Sequence, residues 1–348
     1  MAPRFAAWLG ALVVALGAGA LCAWLGTPIP WMLGPLFATA ACRVGGLDVE
    51  APPGAREAGQ WVIGTALGLY FTPVVLAEVR DAWWLLAAGA ACSIAVGYAA
   101  AALLARLGRI DLTTAVFACA PGGAPEMARL GEIFGARADR VAAAQSLRIL
   151  IVVAVVPAAF TLAGAHGSDA YAMGTTQFDP GGFALLMLAT LGGGFVVWRV
   201  RLPNPFVLGA LAVAIALTGM EVRLSSLPAV ASNAGQLMLG CALGSRFQRD
   251  FLHGAPRFVA AVVAAILLAI VLSASCGLAL AALSDRPAVT VVLGMAPGGI
   301  AEMAITAKVL QLGVPLVTAF HVTRLVALLL LTAPVFGHVR RWRRRIRP

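Results

Sequence analysis

The sequence predicts an all-α polytopic membrane protein made of two inverted-topology repeats, each with five spanning helices plus one re-entrant Pro-Gly-Gly hairpin. Three observations predict this class: long stretches without charge, a motif written twice at one offset, and the placement of the basic residues.

Of the 348 residues, 61% are hydrophobic and only 11% are charged; soluble domains average about 25% charged. Trp83–Leu104 and Val259–Leu283 contain no Asp, Glu, Lys or Arg. Helices of that length cross a hydrocarbon core of about 30 Å. No charge-rich region is long enough for a soluble domain, and the longest polar stretch is the loop at 165–181.

Ala120-Pro121-Gly122-Gly123-Ala124-Pro125-Glu126-Met127 returns in the second half as Ala296-Pro297-Gly298-Gly299-Ile300-Ala301-Glu302-Met303. The offset that takes Ala120 onto Ala296 also carries Gly59, Gln60, Gly64, Gly68 and Phe71 onto Gly235, Gln236, Gly240, Gly244 and Phe247, and Gln145 and Arg148 onto His321 and Arg324. One position out of step, Pro28, Pro30, Leu33 and Gly34 match Pro203, Pro205, Leu208 and Gly209. Ordered matches at one offset identify an internal duplication. The halves are residues 1–163 and 181–337, joined by a linker at 164–180 and followed by a basic tail at 338–348.

Each half has six apolar segments. They lie near 5–25, 31–45, 58–78, 82–105, 112–136 and 139–163, and again near 181–199, 206–220, 234–250, 257–283, 288–311 and 314–337. The run after Arg4 resembles a signal peptide, but the second half has an apolar segment at the equivalent place, so it is read as a span. The fifth segment of each half holds the Pro-Gly-Gly, and basic residues decide its path. If it crosses, the halves are parallel, with thirteen Lys and Arg inside and ten outside. If it enters and leaves on one side, the halves are inverted. The inside then holds nineteen and the outside four, with Arg148 and Arg324 within spans. The inverted arrangement fits. It puts both termini in the cytoplasm, the linker 164–180 in the periplasm, and the protein in a bacterial inner membrane.

The net charge of +10 does not indicate nucleic acid, because six of the 25 basic residues sit between Arg340 and Arg347, just beyond an apolar segment. Such a cluster is a cytoplasmic membrane flank. The six cysteines lie inside apolar segments without a CxxC, as small buried hydrophobes do. No metal site and no cofactor is expected.

Proline and glycine at 121–123 and 297–299 break the helix and leave backbone approachable. Such backbone survives at membrane depth only where protein or a watery cavity satisfies it. Each hairpin arm of about ten residues reaches roughly 15 Å, so the two tips are expected to meet near the midplane. Paired half-helix ends at that depth form the substrate sites of many secondary transporters; a packing kink is the plainer alternative.

Two roles stay open for Glu126 and Glu302, in the first turn after each tip: compensation of a helix dipole, or proton or cation coupling. Two also stay open for Arg148 and Arg324: pairing with those glutamates, or facing an anionic substrate. Gln145 and His321 lie three positions earlier, on the same helical face. Gly64, Gly68, Gly240 and Gly244 form small-xxx-small faces for close helix packing. They are also placed to bring amides up to the exposed carbonyls of a tip.

At the paired Ala-Pro-Gly-Gly-x-x-Glu-Met motifs the chain resembles the AbrB-type bacterial membrane proteins with an internal duplication, often labelled ammonia monooxygenase or AbrB family regulator. The resemblance covers about residues 5–337 and implies an integral inner-membrane protein with a role in regulating gene expression. It carries no catalytic residues onto this sequence. The monooxygenase label finds no clustered histidines, since only His321 of the four lies in a span.

The residues favour a non-enzymatic, ion-coupled secondary transporter of a small solute, anions included. Pro121, Gly122, Gly123, Pro297, Gly298 and Gly299 would bind it, Glu126 and Glu302 would couple, and Gln145, Arg148, His321 and Arg324 would complete the site. The expected partners are the lipid bilayer and a small-molecule or ion ligand; nucleic acid is not expected, and a homodimer is the default assembly. The alternative is a membrane-bound regulator that binds without transporting. A membrane monooxygenase ranks last.

Overall fold

The computed structural model of the chain describes residues 2–120, 122, 124–167, 177–247, 256–328 and 330. Among these residues all regular structure is helical, in fifteen helices. The first half gives α1 (Ala2–Trp24), α2 (Pro30–Val44), α3 (Ala55–Gly68), α4 (Pro73–Asp81), α5 (Trp83–Gly108), α6 (Leu112–Cys119), α7 (Ala124–Ile133) and α8 (Ala138–Leu162). The second gives α9 (Pro180–Arg199), α10 (Pro205–Gly219), α11 (Ala229–Gly244), α12 (Pro256–Ala282), α13 (Ala288–Met295), α14 (Ile300–Val309) and α15 (Val314–Leu328). Both ends of α6 and of α7 recur in α13 and α14 at the offset that separates the two Pro-Gly-Gly motifs.

Five helices, α1, α5, α8, α9 and α12, are long and apolar enough to cross a membrane, so the chain is a multi-pass membrane protein. The segment expected as one span at 58–78 is instead broken: α3 and α4 meet at 92° and count as a sixth crossing at most. Pro73 has no N–H to continue the helix and pushes Thr72 out of helical geometry. α2 and α10, at 15 residues each, reach only about 22 Å, short of a full core. Both begin with proline, whose fixed φ suits a first helical position. Both are entered through a left-handed residue, Ile29 (φ 51°) or Asn204 (φ 47°). Asn204 adopts this conformation readily, whereas a β-branched side chain rarely does. The Asn204 carboxamide oxygen also accepts hydrogen bonds from Arg56 Nη2 (2.8 Å) and Gln60 Nε2 (3.2 Å).

The chain divides into two compact units, each drawing on both sequence halves. The first holds residues 1–81, 153–256 and 301–315. Within it α1 packs on α2 as α9 packs on α10, and α3 lies on α10 as α11 lies on α2. Gly64 faces the backbone of Val207, Gly68 faces Ala214, Gly240 faces Met32 and Gly244 faces Leu36 and Thr39. A Cβ added at Gly64 would come within 2.6 Å of the Val207 carbonyl oxygen. The small faces therefore set the close approach of these helices, as small residues do in membranes. Trp61 Nε1 and the Thr65 hydroxyl both donate to Thr190 Oγ1, at 3.0 and 2.9 Å, joining α3 to α9.

The second unit holds residues 82–152, 257–300 and 316 onward. Within it α5 packs on α6, and α6 on α7. The end of α5 meets the start of α12, where Arg257 Nε donates to Leu107 O at 2.9 Å. Gly89 of α5 and Gly294 of α13 both lie against the ring of Phe320 in α15. Phe117, Met127, Val141 and Leu328 form a buried cluster around the first break.

Candidate binding site at the two broken helices

The first break is prepared by its own sequence. Asp111 caps α6, accepting from Thr114 N (2.7 Å) and the Thr114 hydroxyl (2.6 Å), which satisfies donors the helix start leaves free. Thr114 Oγ1 in turn accepts from Arg137 N at 2.9 Å, tying the approach to α8 to the base of α6. α6 ends at Cys119, and Ala120 turns to φ −57°, ψ 134°. The last carbonyls of a helix have no partner within it. Four positions after Phe117 stands Pro121, which has no N–H to offer its carbonyl.

Two side chains of α8 take these carbonyls. Gln145 Nε2 donates to Phe117 O (2.8 Å) and Ala120 O (2.9 Å). Arg148 Nη1 donates to Ala120 O (2.7 Å), and its Nη2 to Gly122 O (3.1 Å). Spaced three apart, they share a helix face. The guanidinium also sits at the negative end of the α6 dipole.

The second break repeats the plan at the equivalent positions. α13 ends at Met295, and Ala296 turns to φ −53°, ψ 142°. Arg324 Nη1 donates to Ala296 O at 2.8 Å, and its Nη2 to Gly298 O. His321, in place of glutamine, bonds through Nδ1 to Val317 O at 2.9 Å, one turn back on its own helix. A carbonyl only accepts, so this bond takes a proton on Nδ1. Buried Oε1 of Gln145 and Nε of Arg324 have no hydrogen-bond partner among the described residues.

The other predicted site residues are placed as follows. Glu302 is buried in the first turn of α14. Gly299 lies in the second break, between α13 and α14. Pro121, Gly123, the side chain of Glu126 and the Arg340–Arg347 tail fall outside the described residues. Gly64, Gly68, Gly240 and Gly244 pack helix on helix. The tip carbonyls they were placed to cap are taken instead by Gln145, Arg148 and Arg324, because long side chains three positions apart reach across a break without moving a backbone.

Within the second unit, Arg148 and Arg324 line one cavity of about 30 Å³ with Cys119, Pro297, Ser93 and Ser273, amid alanine, valine, leucine and isoleucine. Ser93 and Ser273 are both buried. Sequence reasoning passed over them; the signal was a hydroxyl inside each of the two charge-free stretches, in α5 and α12.

The pattern of the family described as "Transition state regulatory protein AbrB" matches residues 31–340. The chain belongs to the AbrB family. It is similar to the "Uncharacterized protein YhjN" of Bacillus subtilis (strain 168), at 28% identity over 80% of this chain and 77% of that one. It is also similar to the "Putative regulator AbrB" of Escherichia coli (strain K12), at 24% identity over 89% of each. As an AbrB family membrane protein, the chain carries its two breaks inside the matched region.

Proposed function

We propose that this AbrB family protein is a secondary transporter in the bacterial inner membrane, with two inverted repeats and an ion-coupled site for a small solute at the paired breaks. The observation that carries the reading is the shared cavity: two helices broken at equivalent positions, each break held by an arginine of the following helix, both arginines bordering one space. Unwound backbone at matched places in two halves is the arrangement from which many carriers build a site.

Four contacts between loop ends support the inverted insertion. They are Ala51 N to Ser245 Oγ (2.9 Å), Arg56 to Asn204 (2.8 Å), Arg257 to Leu107 (2.9 Å) and Gly167 N to Leu310 O (3.1 Å). With opposed halves, each pair lies on one side of the membrane. With twelve parallel crossings, each pair would be separated by a core of about 30 Å. Opposed halves also put both termini on the cytoplasmic side.

In this reading Glu126 and Glu302 couple the ion, and no covalent chemistry is involved. The test is uptake by proteoliposomes under an imposed proton or sodium gradient. Gradient-driven uptake in the wild type, lost in Glu126→Gln/Glu302→Gln, is the expected result; uptake unaffected by the double variant removes the coupling role. The names of the family and of the Escherichia coli relative favour a second reading, a membrane-bound regulator. It predicts ligand binding without flux, and changed gene expression when the Arg340–Arg347 tail is deleted.

A further inference from the structure

We infer that the cavity in the crook of the bend between α3 and α4 is a binding site for a free aliphatic α-amino acid, such as leucine. The cavity lies wholly within the first unit. The inference goes beyond the transporter reading and does not rest on it.

The space comes from the broken third segment. Where α3 ends the chain turns through 92° into α4. The end of α10 and the stretch that follows it close the other side. The cavity measures about 240 Å³. An apolar cavity of about 150 Å³ takes a benzene-sized guest, so this one accepts a somewhat larger body. It falls short of the roughly 300–1,000 Å³ that drug-sized ligands fill. Leu69, Leu186, Leu217 and Leu224 give it an aliphatic wall.

The polar groups at this cavity carry both signs. Arg223 and Glu221 line it together, two positions apart and outside the helices. Neither makes an ion pair among the described residues. The first turn of α4 opens on the same space at Pro73 and Val74. The N–H groups of a first turn have no partner in their own helix and form its positive end. Thr218, only 7% exposed, lines the cavity as well. Thr39, Thr65 and Thr190 return their hydroxyls to the carbonyls of Pro35, Trp61 and Leu186, one turn back in their helices. The Thr218 hydroxyl makes no hydrogen bond to a described residue, which leaves its donor to the cavity. Glu221 holds a left-handed backbone (φ 61°) just beyond α10, a place that glycine or asparagine fills without strain. The chain keeps a carboxylate there.

A molecule that answers all these groups carries an anion and a cation on neighbouring atoms and an aliphatic body. An aliphatic α-amino acid does. Its carboxylate suits the Arg223 guanidinium and the start of α4. Its ammonium suits Glu221, and its side chain suits the leucine wall.

The experiment is titration calorimetry of the purified full-length protein in nanodiscs of phosphatidylglycerol, a lipid without an ammonium group. L-Leucine is compared with glycine, leucinamide and 4-methylpentanoate, which lack the aliphatic body, the carboxylate and the ammonium in turn. The expected result is saturable binding of leucine, with each analogue weaker by about tenfold or more. Arg223→Gln and Glu221→Gln, both at exposed positions, should each weaken leucine by about tenfold. Glu221→Gln should also cancel the advantage of leucine over 4-methylpentanoate. Thr218→Val, of the same shape, should weaken leucine several-fold. No saturable binding of leucine overturns the proposal. So does leucine binding unchanged in both Arg223→Gln and Glu221→Gln. Native mass spectrometry of protein taken from phosphatidylethanolamine vesicles tests the other zwitterion. A lipid held by the wild type, lost in Arg223→Gln and not displaced by leucine would make the cavity a headgroup site and overturn the amino acid.

Discussion

The two breaks occupy equivalent positions yet end their helices differently. At the first, Ala120 N keeps its bond to Val116 O, four positions back, at 2.8 Å. The Phe117 carbonyl is thereby released to Gln145. At the second, Ala296 N bonds three positions back to Leu293 O at 3.2 Å, so the end of α13 tightens and satisfies internally the carbonyl equivalent to that of Phe117. The neighbours of the two arginines also differ, Gln145 at the first break and His321 at the second. A carboxamide has two N–H donors, and Gln145 spends both on the break. A neutral imidazole has one, and Nδ1 of His321 lies 2.9 Å from Val317 O. The arginine is common to both breaks, while its neighbour decides how the helix closes.

The largest effect that would break this comparison is at Arg324. Arg324→Ala strips two carbonyls of their side-chain donors, at about 1–3 kcal/mol each, or about 2–6 kcal/mol together. Arg148→Ala leaves Ala120 O with Gln145 and should cost about 1–3 kcal/mol. Thermal unfolding of the two variants measures the gap; an equal loss, or a larger one for Arg148→Ala, would show that glutamine does not back up arginine. A middle-sized effect is expected at Gln145. Gln145→Ala removes the side-chain donor to Phe117 O and one of those to Ala120 O and should cost about 1–3 kcal/mol. The smallest is a gain. His321→Gln supplies a second donor to the second break and should raise stability by about 0.5–1.5 kcal/mol. A variant that melts lower than the wild type would mean that His321 holds the site by other means.

Much of the site was legible in the residues alone. Proline followed by two glycines in an apolar stretch can only end a helix, and α6, α7, α13 and α14 end and start where the two motifs lie. Arg148 and Arg324 were evident as charges inside spans. Their partners were not, since the alternatives weighed were glutamate or ligand, and the structure uses carbonyls that lie 26 and 28 residues away in the chain. The third segment also read as a continuous apolar run, and only the angle between α3 and α4 revealed its 92° bend. A single proline in a long apolar run either kinks a span or splits it, and neighbouring packing decides which.

By itself the sequence determined the membrane class, the motif written twice, the places where helices break and the distribution of charge. These are properties of composition and order, which folding cannot rearrange. The tertiary structure alone decided which side chains take the freed carbonyls, that Ser93 and Ser273 join two arginines at one cavity, and that the glycine faces serve packing. Each of these is a choice among groups of similar chemistry far apart in the chain. Distance and direction after packing, rather than identity, select the partner.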